Sequence, residues 1–229
     1  MCQCANWHIS TLTHCQIKTM SEFNDQIKLL ISHISEKEKD KLLARLLRKD
    51  MALAKRLIFE YMNTETVEEK RAHLAQKIDL NLERINQNLR SVDPLLIQLR
   101  EISGNINDHV YETKDKFGEI SLNLYMLNQT FKTSLTLLQK SSSFRMYAFN
   151  LYVVARIFRT LIQITKLHED FRIEFKSDLM LLRNNMLQVP ALMDTAIRHG
   201  LDLNWIDVYE IPSNIESIHR DIRKSGFLR

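Results

Sequence analysis

Only four glycines (Gly104, Gly118, Gly200, Gly226) and three prolines (Pro94, Pro190, Pro212) punctuate the 229 residues of this chain. Tight turns draw on these residues, because glycine supplies positive φ and proline presets φ near −65°. A β-rich chain needs a turn about every ten residues, so an all-α fold of long helices with few connections is expected. No two glycines lie within ten residues of each other, which excludes glycine-built phosphate cradles such as the dinucleotide fingerprint or the P-loop. Hydrophobic residues make up 45% and charged residues 26% of the chain, enough apolar surface for a packed core. The expected architecture is a multi-helix bundle or a short α-superhelix of about seven to nine helices.

All three cysteines (Cys2, Cys4, Cys15) fall in the first fifteen residues. A secreted disulfide scaffold spreads its cysteines through the fold, so a reducing, cytoplasmic location is expected. Residues 1–19 show no helical period and read as a flexible leader, an extension upstream of a natural start at Met20-Ser21. Cys2, Cys4, His8, His14 and Cys15 are candidate metal ligands there, but Cys-x-Cys with irregular histidines fits zinc spacing poorly, and no metal or cofactor is expected. The most apolar stretch, Phe144 to Ile164, is interrupted by Arg145, Asn150, Arg156 and Arg159, too many polar groups for a membrane span.

Residues 20–229 are expected to form one all-α domain, with short helices over 21–63 packed on long helices over 64–229. Ser21 is placed to cap the first helix, and Phe23, Ile27, Leu30 and Ile31 recur at helical spacing. Ser35 and Glu38 form a capping box, and Asp50 can cap a third helix. A fourth should start near Thr64, with Glu65, Glu68 and Glu69 where the helix dipole favours acids. From Ile78 through Leu82, Ile85 and Leu89 to Leu138, apolar residues step by three and four, the seam of packed helices. Asp93-Pro94 reads as a helix start, Gly118 as a C-cap, and Gly104 as a kink or a close helix contact. A helix from Phe144 ends near His168 or continues toward Leu187. Pro190 to His199 is a short helix stopped by Gly200. Leu201, Leu203 and Trp205 alternate like a short strand over 201–206, and Ser213 with Glu216 resembles a capping box for a last helix ending near Gly226.

No catalytic motif appears. A helical di-metal enzyme needs two Glu-x-x-His pairs, and the chain has one, Glu216 with His219. Glu69 and His73 lie at i, i+4 and lack that spacing. Asp170, Glu174 and Asp178 share a helix face, and the interleaved Arg172, Lys176 and Arg183 are spaced to neutralise them. A helical metalloenzyme is therefore the most distant reading.

One asymmetry is unusual. The 49 residues between Glu119 and Glu169 contain no Asp or Glu but six cations, so this window carries +6 while the rest of the chain sums to −2. Within it Arg145, Tyr152, Arg156, Arg159, Gln163 and Lys166 fall within roughly 80° on a helix of about 100° per residue. Such a stripe can hold phosphates or a carboxylate-rich partner. It can equally lie against the core, its arginine stems on apolar neighbours and its charges paired with acids elsewhere. A second basic region over Lys37–Arg56 is diluted by Glu36, Glu38, Asp40 and Asp50. The leading expectation is a non-catalytic interaction or scaffold protein that presents a groove to a protein partner, with self-association through the 78–138 seam. The alternative is a binder of nucleic acid or another anion through residues 120–168, with Arg145, Tyr152, Arg156, Arg159 and Lys166 as candidate contacts.

Overall fold

The computed structural model describes residues 23–228. The leader, its Cys2, Cys4, His8, His14 and Cys15, and the Ser21 cap lie outside the described residues. Residues 23–33 are helical (α1). Ten further helices follow: α2 (Glu36–Lys49), α3 (Met51–Met62), α4 (Val67–Asn86), α5 (Val92–Thr113), α6 (Lys116–Lys140), α7 (Ser143–Thr165), α8 (Glu169–Arg172), α9 (Lys176–Leu187), α10 (Pro190–Arg198) and α11 (Ile215–Lys224). No strand occurs among the described residues. The all-helical reading holds, with slightly more helices than expected.

The extra helices arise where local chemistry cuts a long one. α7 ends at Thr165 instead of running on toward Leu187. The Arg172 guanidinium donates to the carbonyls of Leu167 (3.0 Å) and Thr165 (2.7 Å), satisfying groups that a continuing helix would have bonded itself. The strand-like alternation at 201–206 is instead a 3₁₀ turn over Leu203–Trp205, started by Asp202, whose carboxylate accepts the Asn204 N–H. Gly104 sits inside an uninterrupted α5 with nothing within 4 Å of an added Cβ, so it marks neither a kink nor a close contact. α5 begins at Val92 behind Ser91, just ahead of Asp93-Pro94. Ser213 makes no capping box; Asn214 precedes α11, and the Glu216 carboxylate turns to Lys166.

Other starts match local chemistry. Ser35 donates to Glu38 through its N–H and its hydroxyl, and these bonds hold the Glu38 carboxyl below its usual range. Asp50 accepts the Leu53 N–H at 3.0 Å. Thr66 and Glu69 close a reciprocal box at the head of α4, two residues beyond the expected Thr64. Gly200, at φ +77°, stops α10 in the left-handed region that glycine adopts without strain.

The described residues divide into two compact units, up to Lys55 and from Arg56 onward, with the boundary inside α3. In the first, no α2 residue is buried, and Leu42, Leu43 and Leu46 stay exposed. The second holds the core. α6 packs on α4, α5, α7 and α9, and α7 packs on α5, α6, α10 and α11. Phe131, Phe149, Phe158 and Phe175 are almost completely buried there. The apolar seam is used within the chain: Ile78, Leu82, Leu99, Ile106, Leu124 and Leu127 are all buried.

One polar joint sits in this core. Asp115, whose side chain is 4% exposed, accepts Arg71 Nε of α4 at 2.7 Å and the Gly118 N–H of α6 at 2.7 Å, and it pairs with His109 Nε2 of α5 at 3.2 Å. The Gly118 bond makes Asp115 the N-cap of α6, so Gly118 lies in the first turn of α6 and is not the C-cap of α5. That role falls to Lys114, at φ 61°. Burial pushes the Asp115 carboxyl up, but the bonds from His109, Arg71 and Gly118, together with the Arg71 charge, outweigh it and hold the pKa at about 2. Against an ordinary value of 3.8, this differential is worth about 2 kcal/mol of stability. A carboxyl depressed in the folded state stabilises above its unfolded pKa, so the contribution is complete above pH 4 and disappears as pH falls toward 2.

Asp115→Asn is therefore expected to lose about 2 kcal/mol at neutral pH and to flatten the acid limb of the stability profile, checked by urea denaturation of both proteins between pH 7 and pH 2. Gly118→Ala separates packing from helix propensity. A Cβ there would meet Asp115 Oδ2 at 1.9 Å and Arg71 Nε at 2.7 Å. Destabilisation of roughly 1–3 kcal/mol is expected, where an unobstructed helical glycine would gain about 1 kcal/mol; the sign of the change in Tm decides.

A candidate anion-binding face

The α7 stripe foreseen in the sequence divides into two halves with different work. Tyr152 and Arg156 face α5. The Tyr152 hydroxyl donates to the Leu99 carbonyl at 3.1 Å, leaving its lone pairs for Arg156 Nη2 at 3.1 Å and for the Ser103 hydroxyl. The Arg156 guanidinium also lies over the Tyr152 ring, 5.4 Å from its centroid. Tyr152 thereby holds α7 to α5, and Arg156 is bound to Tyr152. Arg145, in the first turn of α7, is exposed and away from the clefts described below.

Arg159, in the last two turns of α7, and Lys166, at its C-cap, face solvent. Arg159 Nη2 donates to Glu119 Oε1 at 3.0 Å and to Asn107 Oδ1 at 3.4 Å. Lys166 Nζ pairs with Glu216 Oε1 of α11 at 3.1 Å. As a stripe lying against the core would, these two draw acidic partners from elsewhere in the chain, Glu119 and Glu216.

Arg159 and Lys166 line a cleft of about 580 Å³ together with Lys114 and Lys116 from the α5–α6 turn. Tyr111, Asn107 and Gln163 add polar groups, and Val110, Ile120 and Leu167 an apolar floor. A second cleft shares Arg159, Gln163 and Lys166 and adds His219 and Arg223. A third shares Ile162, His219 and Arg223 and adds Glu216, Arg220 and Lys224. Through these shared walls the three adjoin, and seven basic side chains line them against two carboxylates, Glu119 and Glu216. Burial, with the neighbouring Arg223 charge, pushes the His219 imidazole below its ordinary pKa. Lys114 rests over the Tyr111 ring at 4.8 Å, whereas Lys116 stands outside the ion pairs of the cleft.

Of the five candidate contacts, the structure thus brings Arg159 and Lys166 to one face and keeps Arg145, Tyr152 and Arg156 off it. Lys114, Lys116, Arg220, Arg223 and Lys224 were missed. They flank Asp115 or cluster at the chain's end, next to acids outside the acid-free window, so no linear charge count singles them out. The Glu216–His219 pair has become part of this face, its glutamate bound to Lys166 and its imidazole 5.1 Å from the Phe158 ring.

The carboxylate stripe of Asp170, Glu174 and Asp178 is not neutralised by its neighbours as its spacing suggested. Arg172 caps α7, Lys176 lies over Tyr209 at 4.9 Å, and Arg183 reaches Asn204. The 3₁₀ turn at Ile173–Phe175 breaks the helix that would align the acids, and burial raises the Asp178 pKa. Among the described residues no three His, Cys, Asp or Glu side chains approach as a metal-binding group, and no helix is long and apolar enough to cross a membrane.

The chain matches no protein-family model, no curated protein and no solved structure.

The division of labour on α7 is testable. Tyr152→Phe removes the acceptor for Arg156 and the bond to Leu99, and is expected to cost roughly 1–2 kcal/mol of stability in chemical denaturation while leaving retention on a polyanion resin unchanged.

Proposed function

We propose that this chain is a non-catalytic helical binding protein whose α5–α6–α7–α11 face receives an anionic partner. One observation carries the reading: seven cations converge on adjoining clefts from the α5–α6 junction, the C-terminal end of α7 and α11, though they are scattered over more than one hundred residues of sequence. Ordinary surface cations are interspersed with acids. Here the two acids present are each bonded to a cation, which leaves a net positive field over the clefts.

Those pairs do not disqualify the face. Lys166 and Glu216 are both more than half exposed, and an exposed pair of this kind contributes little, on the order of 0–1 kcal/mol. An incoming phosphate or carboxylate can displace such a partner at small cost. A groove-presenting interaction protein, the leading expectation from sequence, fits the same surface once the partner's docking segment is taken to be acidic.

Retention on heparin is the direct test. It should fall steeply with salt, as binding dominated by several cation–phosphate or cation–sulfate contacts does. Arg159→Glu, Lys166→Glu and Arg223→Glu should each elute at clearly lower salt than the parent. Arg145→Glu, which changes net charge equally but lies off the clefts, should elute later than those three variants. Equal shifts for all four would mean that net charge alone governs retention, and the reading would fail.

A further inference from the structure

The largest of the three clefts has a shape and lining that narrow its ligand, given the anion-binding reading above. Its volume, about 580 Å³, lies within the range of about 300–1,000 Å³ that holds small molecules. The cations come from two separate parts of the chain. Lys114 and Lys116 come from the turn joining α5 to α6, Arg159 and Lys166 from the end of α7. A compact ligand held by both sets needs anionic groups at two places, not one. The cleft also has the apolar floor of Val110, Ile120 and Leu167, which suits a carbon skeleton and does nothing for a bare inorganic anion.

A second feature is independent of charge. Gln163 lines this cleft and its neighbour, and its Oε1 is buried without a hydrogen-bond partner. An unpaired buried amide oxygen costs on the order of 1–3 kcal/mol, and it asks for a donor. Phosphates and carboxylates are acceptors; a ligand hydroxyl is a donor. Turning the amide over would leave an equally unpaired nitrogen at the same place, which a ligand hydroxyl can also satisfy as acceptor.

We infer that the cleft binds a small molecule carrying two or more phosphate groups on a hydroxylated carbon skeleton, with Lys114 and Lys116 on one phosphate, Arg159 and Lys166 on another, and Gln163 on a skeleton hydroxyl. Sugar bisphosphates and nucleoside polyphosphates share this chemistry. Single-stranded nucleic acid has one phosphate per unit along an extended track and needs stacking surfaces; Tyr111 is the sole aromatic ring in the cleft, and Lys114 already covers it.

Calorimetric titration of the full chain with four probes decides: fructose 1,6-bisphosphate, adenosine triphosphate, pyrophosphate and a twenty-nucleotide single-stranded DNA. Binding of either of the first two supports the inference, and the stronger identifies the skeleton. Lys116→Gln, which disturbs no ion pair, should weaken that binding about tenfold or more, and Arg159→Gln should do the same. Gln163→Leu should weaken the hydroxylated ligand several-fold and leave pyrophosphate unchanged, a difference that mere misfolding would not produce; unaltered melting of each variant completes the control. Pyrophosphate binding as tightly as both organic phosphates, with Gln163→Leu silent, overturns the inference. DNA binding sensitive to Arg159→Gln with no small-molecule binding at millimolar concentration also overturns it and leaves the broader anion-binding reading standing. No binding of any probe, together with heparin retention insensitive to the charge reversals, removes both.

Discussion

A single carboxylate, that of Asp115, connects three helices to one point in the core. It receives Arg71 from α4, pairs with His109 of α5 and caps the N-terminus of α6. Breaking a buried arrangement of this kind by removing one member strands the others without compensation, which is why its effect should exceed that of any exposed ion pair. Its geometry also fixes the α5–α6 turn. Lys114 must be left-handed at φ 61° for α5 to end and Asp115 to turn inward, and this places Lys114 and Lys116 on either side of the buried residue, facing solvent. The first wall of the largest cleft is therefore a by-product of the core joint. The second wall is set where Arg172 ends α7, just ahead of Lys166.

Electrostatics on the face follow from placement more than from net charge. The chain as a whole carries only +4. Concentrating cations on four adjoining elements raises the local potential well above what that figure suggests, since charges beyond about 8–10 Å are screened at physiological salt while neighbours are not. The His219 imidazole, its pKa pushed down by burial and by Arg223, sits in the same clefts. Glu119 and Glu216 moderate the repulsion among these cations in the absence of a partner.

Much of the fold was legible in the sequence, because the signals were local. Scarcity of glycine and proline, the Ser35–Glu38 box, the Asp50 cap and the Gly200 stop each report on a few neighbouring residues. Failures came where a side chain claimed a backbone group that the pattern had assigned otherwise. Gly118 looked like a C-cap until Asp115, three residues earlier, claimed its N–H. Leu201, Leu203 and Trp205 alternate as a strand does, but Asp202 caps a 3₁₀ turn instead. The charge asymmetry pointed to α7 and to two residues that line the cationic clefts, Arg159 and Lys166. It could not separate them from Tyr152 and Arg156, one to two turns away on the same stripe, because the helix faces α5 at one end and open cleft at the other. Nor could it find Lys114, Lys116 or Arg223, which reach the face only through tertiary packing.

The far wall of the face is α11, and it is built differently from the rest. It has ten residues, of which only Ile215 is buried, and it packs on α7 alone among the helices it touches substantially. An isolated helix of that length is marginal in water, and few buried contacts put an element at the low end of local stability. Amide exchange should accordingly be faster at this wall than across α6 and α7. A ligand bridging α7 to α11 would have to order it, and part of the interaction energy would be consumed in doing so. The proposed anion binding at this face therefore depends on the ordering of one short helix as well as on the number of charges on it.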